Sequence, residues 1–106
     1  MANIFEVTDC RGRRVVCSEE IWCDHILAGR SWMRGWEPIV IEAIEHPTYI
    51  CEDRNRTERE VYYLLRTNGE ARYIKVVVNF AAGENGSVVS AFPTDSGKAG
   101  ERIIWI

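Results

Sequence analysis

From Asn3 to Thr8 apolar and polar positions alternate, the period of a half-buried strand. Asp9-Cys10-Arg11-Gly12-Arg13 has the composition of a turn, and Arg14 to Cys17 reads as a short second strand, so a small N-terminal β-hairpin is expected. The period then changes. Ser18 followed by Glu19-Glu20-Ile21 is a helix start, with a hydroxyl cap and acidic residues at the positive end of the helix. Ile21, Trp22, His25, Ile26 and Gly29 fall on one stripe at three- and four-residue spacing, and Gly29 is a reasonable stop. Arg30 to Trp36 is a loop. Glu37-Pro38 opens a second helix, because proline suits the first helical position, with Val40, Ala43 and Ile44 as its buried side and His46-Pro47 as its close.

Beyond Thr48 the chain is strand-rich. Thr48 to Glu52, Arg59 to Arg66, Ala71 to Phe80, Ser87 to Phe92 and Arg102 to Ile106 read as strands. Asn68-Gly69 is a strong hairpin signal between two of them, and Asn85-Gly86 is read as a second turn. The predicted fold is α+β: two helices packed on one face of a roughly four-stranded antiparallel sheet, preceded by the small hairpin, in a single domain over residues 1–106.

Composition narrows this picture in three ways. At 106 residues the chain is long enough for one modest core. No stretch approaches membrane-spanning length and the N-terminus lacks a basic region ahead of an apolar one, so a cytoplasmic protein without a membrane partner is expected. Cys10, Cys17, Cys23 and Cys51 form no Cys-x-x-Cys pair and have no histidine at zinc spacing, so reduced thiols, no metal site and no cofactor are expected. The formal net charge of −3 argues mildly against a nucleic-acid partner, although the basic residues are nearly all arginines, whose planar fork suits phosphate.

Strand alternation then sorts the candidate chemistry. Ile74, Val76, Val78 and Phe80 share one face, while Tyr73, Lys75, Val77 and Asn79 share the other; Ser90 goes with Val88 and Phe92. If the more apolar faces meet the helices, Lys75 and Ser90 lie together on the opposite face with a tyrosine–arginine set. Register is not readable from the chain, so that set is either Arg59 with Tyr63 or Tyr62 with Arg66, and we place the expectation on Arg59 and Tyr63. RNA cleavage through the ribose 2′-hydroxyl needs a base, an acid and cations at the phosphate, and no metal. His25 has the ordinary pKa for the first two tasks, Lys75 and Arg59 could supply the third, and Ser90 or Tyr63 could bond a phosphate oxygen. Each residue also has a structural rival: a hydrogen-bonded core histidine, a solvated strand lysine, a small serine bonded to backbone. Arg54, Arg56 and Arg59 are interleaved with Glu52, Asp53, Glu58 and Glu60, the pattern of a solvated mixed-charge segment, within which Arg54 is a candidate substrate contact.

Phe5-Glu6-Val7-Thr8-Asp9, Gly12-Arg13, Trp22 and His25-Ile26-Leu27 resemble the opening of the phage-associated barnase–EndoU–colicin–RelE-like (BECR) nuclease domains. Ala43-Ile44-Glu45-His46-Pro47, Val61-Tyr62-Tyr63, Tyr73 to Val78 and Val88 to Pro93 are similar to their later segments. The resemblance implies two helices before a four-stranded antiparallel sheet, metal-independent endoribonuclease activity, and a phage or toxin setting with RNA as partner and a cognate inhibitor. It implies that His25, Lys75 and Ser90 act. Where the family often has a second histidine in a His-Pro pair, this chain has Ala28-Gly29-Arg30-Ser31-Trp32, so Arg30 would have to substitute as a substrate contact. The alternative function is a catalytically silent member of the fold that binds nucleic acid or a partner protein, which the acidic balance and the loop tryptophans Trp32 and Trp36 favour.

Overall fold

The strands largely form where alternation places them. The computed structural model describes residues 2–53, 55–66, 71–82, 85–95, 97 and 100–106. Among these residues there are seven strands: β1 (Asn3–Thr8), β2 (Arg14–Ser18), β3 (Tyr49–Asp53), β4 (Arg56–Leu65), β5 (Tyr73–Ala82), β6 (Asn85–Thr94) and β7 (Glu101–Trp105). They join in one sheet in the order β1-β2-β6-β5-β4-β3-β7. The turn at Asn68-Gly69 lies outside the described residues, but β4 and β5 pair as that signal predicts, and Arg66 N–H extends the hairpin by bonding Arg72 O at 2.7 Å.

The expected architecture of a four-stranded antiparallel sheet, two packed helices and a separate hairpin is overturned. The hairpin is part of the sheet: β2 pairs in parallel with β6, through Arg14↔Asn85, Val15↔Gly86 and Val16↔Ser87. At the far edge β7 adds antiparallel to β3. The sheet is therefore mixed, and the helices are short. Parallel pairing is non-local and leaves no periodicity in either strand, so alternation could not reveal it.

Asn85-Gly86 is also strand rather than turn. Gly86 is buried on the helix-facing side, and a Cβ there would lie 2.6 Å from Val78 Cγ1 and 2.7 Å from Phe80 Cε1. Glycine is needed for close approach, which is one recognised use of glycine in a strand.

The helical layer consists of a π-helical stretch (Ile21–Ile26), a single α turn α1 (Leu27–Gly29), a 3₁₀ turn (Ser31–Met33) and α2 (Glu37–Glu45). The Ser18 hydroxyl accepts the Ile21 N–H at 3.1 Å, satisfying one donor at the helix start. Pro38 opens α2, and Val40, Ala43 and Ile44 are buried from it as periodicity predicts. Trp22 and Ile26 join these residues in the main core, against Ile74, Val76, Val78, Val88 and Ala91 of the sheet. No helix among the described residues is long and apolar enough to cross a membrane.

The β1–β2 turn is pinned onto this core by charge. Asp9 is buried, and its carboxylate accepts the Arg11 and Arg13 backbone N–H groups at 3.0 and 2.8 Å and the Tyr62 hydroxyl at 2.5 Å. The Arg13 guanidinium bonds both Asp9 and Glu60, at 2.9 and 2.8 Å from Nη2, and lies 3.9 Å from the centre of the Phe80 ring. Gly12 turns the chain at φ +84°, a conformation few other residues adopt without strain. Burial alone would raise the Asp9 carboxyl, but the bonds from Tyr62 and Arg13 outweigh it and hold the group below its ordinary value of 3.8.

Two predictions follow from this packing. Gly86→Ala should cost about 1–3 kcal/mol by forcing Val78 and Phe80 apart, read as a lower urea midpoint; an unchanged midpoint would contradict the packing described. A carboxyl depressed in the folded state stabilises the fold above its unfolded value and loses that contribution as pH falls through its folded value. Wild-type stability should accordingly drop below about pH 4. Asp9→Asn should flatten that acid limb while costing about 1–3 kcal/mol at neutral pH. Urea unfolding at neutral and acid pH compares the two proteins, and parallel profiles would count against the cluster's role.

Candidate functional site

The register left open by the sequence is settled by pairing. Lys75 stands opposite Tyr63 on one side and Phe92 on the other, and Tyr63 stands opposite Tyr49. One step along, Val77 faces Val61 and Ser90; a further step along, Asn79 faces Arg59 and Ser87. Directly opposed residues share a face. Lys75, Ser90, Arg59 and Tyr63 therefore lie together on the side away from the helices. Tyr62 is on the helix side, bonded to Asp9.

That face is partly roofed. Strands β6 and β7 are separated by β5, β4 and β3, so the chain between Thr94 and Glu101 must cross all three. Gly97 marks its path, since a Cβ there would sit 3.6 Å from Tyr63 Oη and 3.4 Å from Glu101 Oε1. Beneath it Tyr63 is fully buried, its hydroxyl donating to Glu101 Oε1. Lys75 Nζ lies 3.1 Å from Glu101 Oε2, with side chains only 9% and 5% exposed. The Lys75 ammonium also lies 5.7 Å from the Tyr63 ring centre and 5.5 Å from that of Phe92. Tyr49 stacks on Tyr63 at 5.0 Å, and Tyr73 meets both rings edge-on at 5.9 Å. Cys51 and Val61 complete this second, smaller core.

Other predicted residues lie elsewhere. His25 is exposed on the π-helical stretch, whose neighbours Trp22 and Ile26 are sunk in the core on the opposite side of the sheet. An α-helix would put residues 22, 25 and 26 on one stripe; the wider winding, in which Leu27 N–H bonds Trp22 O five residues back, keeps Trp22 and Ile26 inward and turns His25 out. The sheet thus stands between the helical layer that carries His25 and the face that carries Lys75 and Ser90. Arg30 sits nearer. β2 pairs only with residues 85–87 of β6, and past that short edge the Arg30 guanidinium reaches to 4.9 Å from the Phe92 ring. Arg54 lies outside the described residues.

Sequence reasoning missed Glu101, which falls just outside the strand expected from Arg102 to Ile106, and the whole Asp9–Arg13–Glu60–Tyr62 cluster. A signal for Glu101 existed. Lys75 falls in an otherwise apolar stretch, Ile74 to Val78, and a lysine withdrawn from water requires a carboxylate. The cysteines are all free, and burial pushes the Cys51 and Cys17 thiols up to about 11 and about 12, which makes both poor nucleophiles. Among the described residues no three His, Cys, Asp or Glu side chains are grouped to hold a metal.

What remains accessible on the second face is a field of half-buried side chains: Val77, Asn79, Ser90, Phe92, Tyr49, Tyr73 and Arg59, with Leu65 and Ile103 about half exposed at its margins. Such a surface can bind; its lysine is already neutralised. Comparison with known protein families, curated proteins and solved structures yields no match to this chain.

Breaking the buried pair tests its role. Lys75→Met strands the Glu101 carboxylate without its cation and should cost about 3–5 kcal/mol in urea unfolding. Lys75→Met combined with Glu101→Gln keeps an acceptor for Tyr63 and should recover most of that loss. A single-variant loss below about 1 kcal/mol would mean that the pair is solvated.

Proposed function

We propose that this chain is a non-catalytic binding domain that takes a partner protein on the sheet face opposite its helices. The observation that carries the reading is the Lys75–Glu101 ion pair. The ammonium that a ribonuclease would aim at a scissile phosphate is instead held against a carboxylate beneath the β6–β7 connection. An ion pair so placed ties the edge strand to the sheet centre. It supplies no uncompensated charge to a transition state. His25, the candidate proton carrier, belongs to the layer on the other side.

A protein partner suits the charges better than a nucleic acid. Polyanion binding needs a track of unpaired cations, and the overall charge is −3. Here Arg11 and Arg13 are tied to Glu60, Arg14 to Glu6 and Arg102 to Glu52. Half-exposed Leu65 and Ile103 beside the tyrosines supply the apolar and aromatic contacts that protein interfaces use. Trp32, 55% exposed and edge-on to Trp36 at 5.2 Å, is a second anchor on the helical side. A cytoplasmic setting belongs to the same proposal, in keeping with four unpaired thiols.

The test is incubation of the purified chain with mixed RNA in chelator, alongside a binding titration with RNA at low salt. Intact RNA and no salt-dependent RNA binding are expected. Cleavage that falls by about 10²–10⁴ in Lys75→Ala or His25→Ala would overturn the proposal in favour of a ribonuclease. RNA affinity that falls steeply with added salt would overturn the choice of a protein partner.

A further inference from the structure

Exposed Arg34, Arg56 and Arg72 have no side-chain partner among the described residues, but of the partly buried arginines Arg13, Arg59 and Arg66 it is Arg59 that lacks one. Its Nε is buried and has no hydrogen-bond partner, and the side chain has no ion pair or ring contact among the described residues. Arg59 stands opposite Asn79, and Asn79 opposite Ser87, so the three occupy one row across β4, β5 and β6 on the second face. Opposed Cβ atoms in such a row are about 4.5–5.5 Å apart, which puts all three side chains within reach of one small ligand.

The row is made of donors. The Asn79 carboxamide oxygen is already taken by the Ala81 N–H at 2.7 Å, which fixes the amide's orientation and leaves its NH₂ as the free end. Ser87 is exposed and can donate its hydroxyl. Arg59 adds its two terminal nitrogens, whose planar fork matches two oxygens of one anion. Two carboxylates of the neighbouring strands are not paired with Arg59: Asp53 Oδ1 accepts the Asn55 N–H at 2.9 Å, and Glu101 is held by Lys75 and Tyr63.

We infer that the Arg59–Asn79–Ser87 row is a binding site for an oxyanion, a phosphate or carboxylate group carried by whatever docks on this face. The inference rests on the proposal that this face is the recognition surface. Arg59 grips two oxygens through its terminal nitrogens, Asn79 donates to the same group through its NH₂, and Ser87 closes the row from β6. A half-buried guanidinium lacking any protein acceptor is thereby satisfied by the partner, and the contact gives direction and register to an otherwise apolar interface.

The experiment uses the full chain, labelled with ¹⁵N and titrated with sodium phosphate, sodium acetate or sodium chloride at matched ionic strength. The readouts are the side-chain Nε–H signal of Arg59, the NH₂ signals of Asn79 and the backbone amide of Ser87. Saturable shifts of these groups with phosphate or acetate, at a Kd of about 1–10 mM, and none with chloride, are expected. The anion that binds tighter identifies the source. Arg59→Gln should weaken the Asn79 response by about tenfold or more. Ser87→Asp, a change at an exposed position, should abolish it by placing a fixed carboxylate in the row. Equal responses to all three salts, no saturable response to either oxyanion, or responses untouched by both variants would overturn the inference. RNA cleavage would overturn the non-catalytic reading and leave a saturable Arg59 response standing; a silent Arg59 with intact RNA would remove only the oxyanion site.

Discussion

Withdrawing a lysine ammonium from water costs several kcal/mol, and a carboxylate withdrawn beside it repays that cost only when the geometry is good and the remaining oxygen is also bonded. Between Lys75 and Glu101 the charges are close, with Nζ and Oε2 3.1 Å apart but short of hydrogen-bond alignment, and the other oxygen takes the Tyr63 hydroxyl. The pair joins the middle strand β5 to the first residue of the edge strand β7, which reaches its place only after the chain has crossed three strands. Few local interactions could hold that crossing, because β7 pairs with one strand alone and lies at the rim. The ion pair and the stacked tyrosines give it an anchor near the centre of the sheet. The same anchoring divides the face into a roofed part built for stability and an open part available for contact.

A comparable arrangement holds the other end of the chain. Asp9, Arg13, Glu60 and Tyr62 form a buried network in which each charged group has an opposite charge or a donor within 3.1 Å. Networks of this kind specify geometry more reliably than they add stability, since an apolar cluster of equal volume would satisfy burial without fixing direction. Here direction matters. The turn must be fixed for β2 to present its free edge to β6, and Gly86 must lack a side chain for that pairing to bring Val15 against the core.

Most strands and both helix starts were legible in the chain, because alternation, the Ser18 cap and Pro38 act locally. The sharing of a face by Lys75, Ser90 and Phe92 was legible as well, but Val88, read onto that same face, lies in the helix-side core because a bulge in β6 interrupts the period of two. Register between β4 and β5 was not, and with it went the choice between Tyr63 and Tyr62. The parallel β2–β6 contact was beyond reach for the reason that makes such contacts slow to form: its partners lie some seventy positions apart. His25 shows a different limit. Spacing assigned it to the apolar stripe on the assumption of α winding, and a π stretch of six residues was enough to turn it to solvent.

The distribution of arginines carries the argument from fold to function. Where a guanidinium is required by the structure, its partner is visible: Glu60 for Arg11 and Arg13, Glu6 for Arg14, Glu52 for Arg102, an aromatic ring for Arg30 and Arg66. A side chain with five donors, partly withdrawn from water and given no acceptor, is not explained by stability, because truncating it would remove an unsatisfied group at little cost to packing. Arg59 is placed among donors, on the face without helices, beside aromatic and aliphatic side chains that are half covered. Stability explains the pairs that bind the sheet together, and water satisfies exposed Arg34, Arg56 and Arg72; Arg59, partly withdrawn and unpaired, is explained by something the fold itself does not contain.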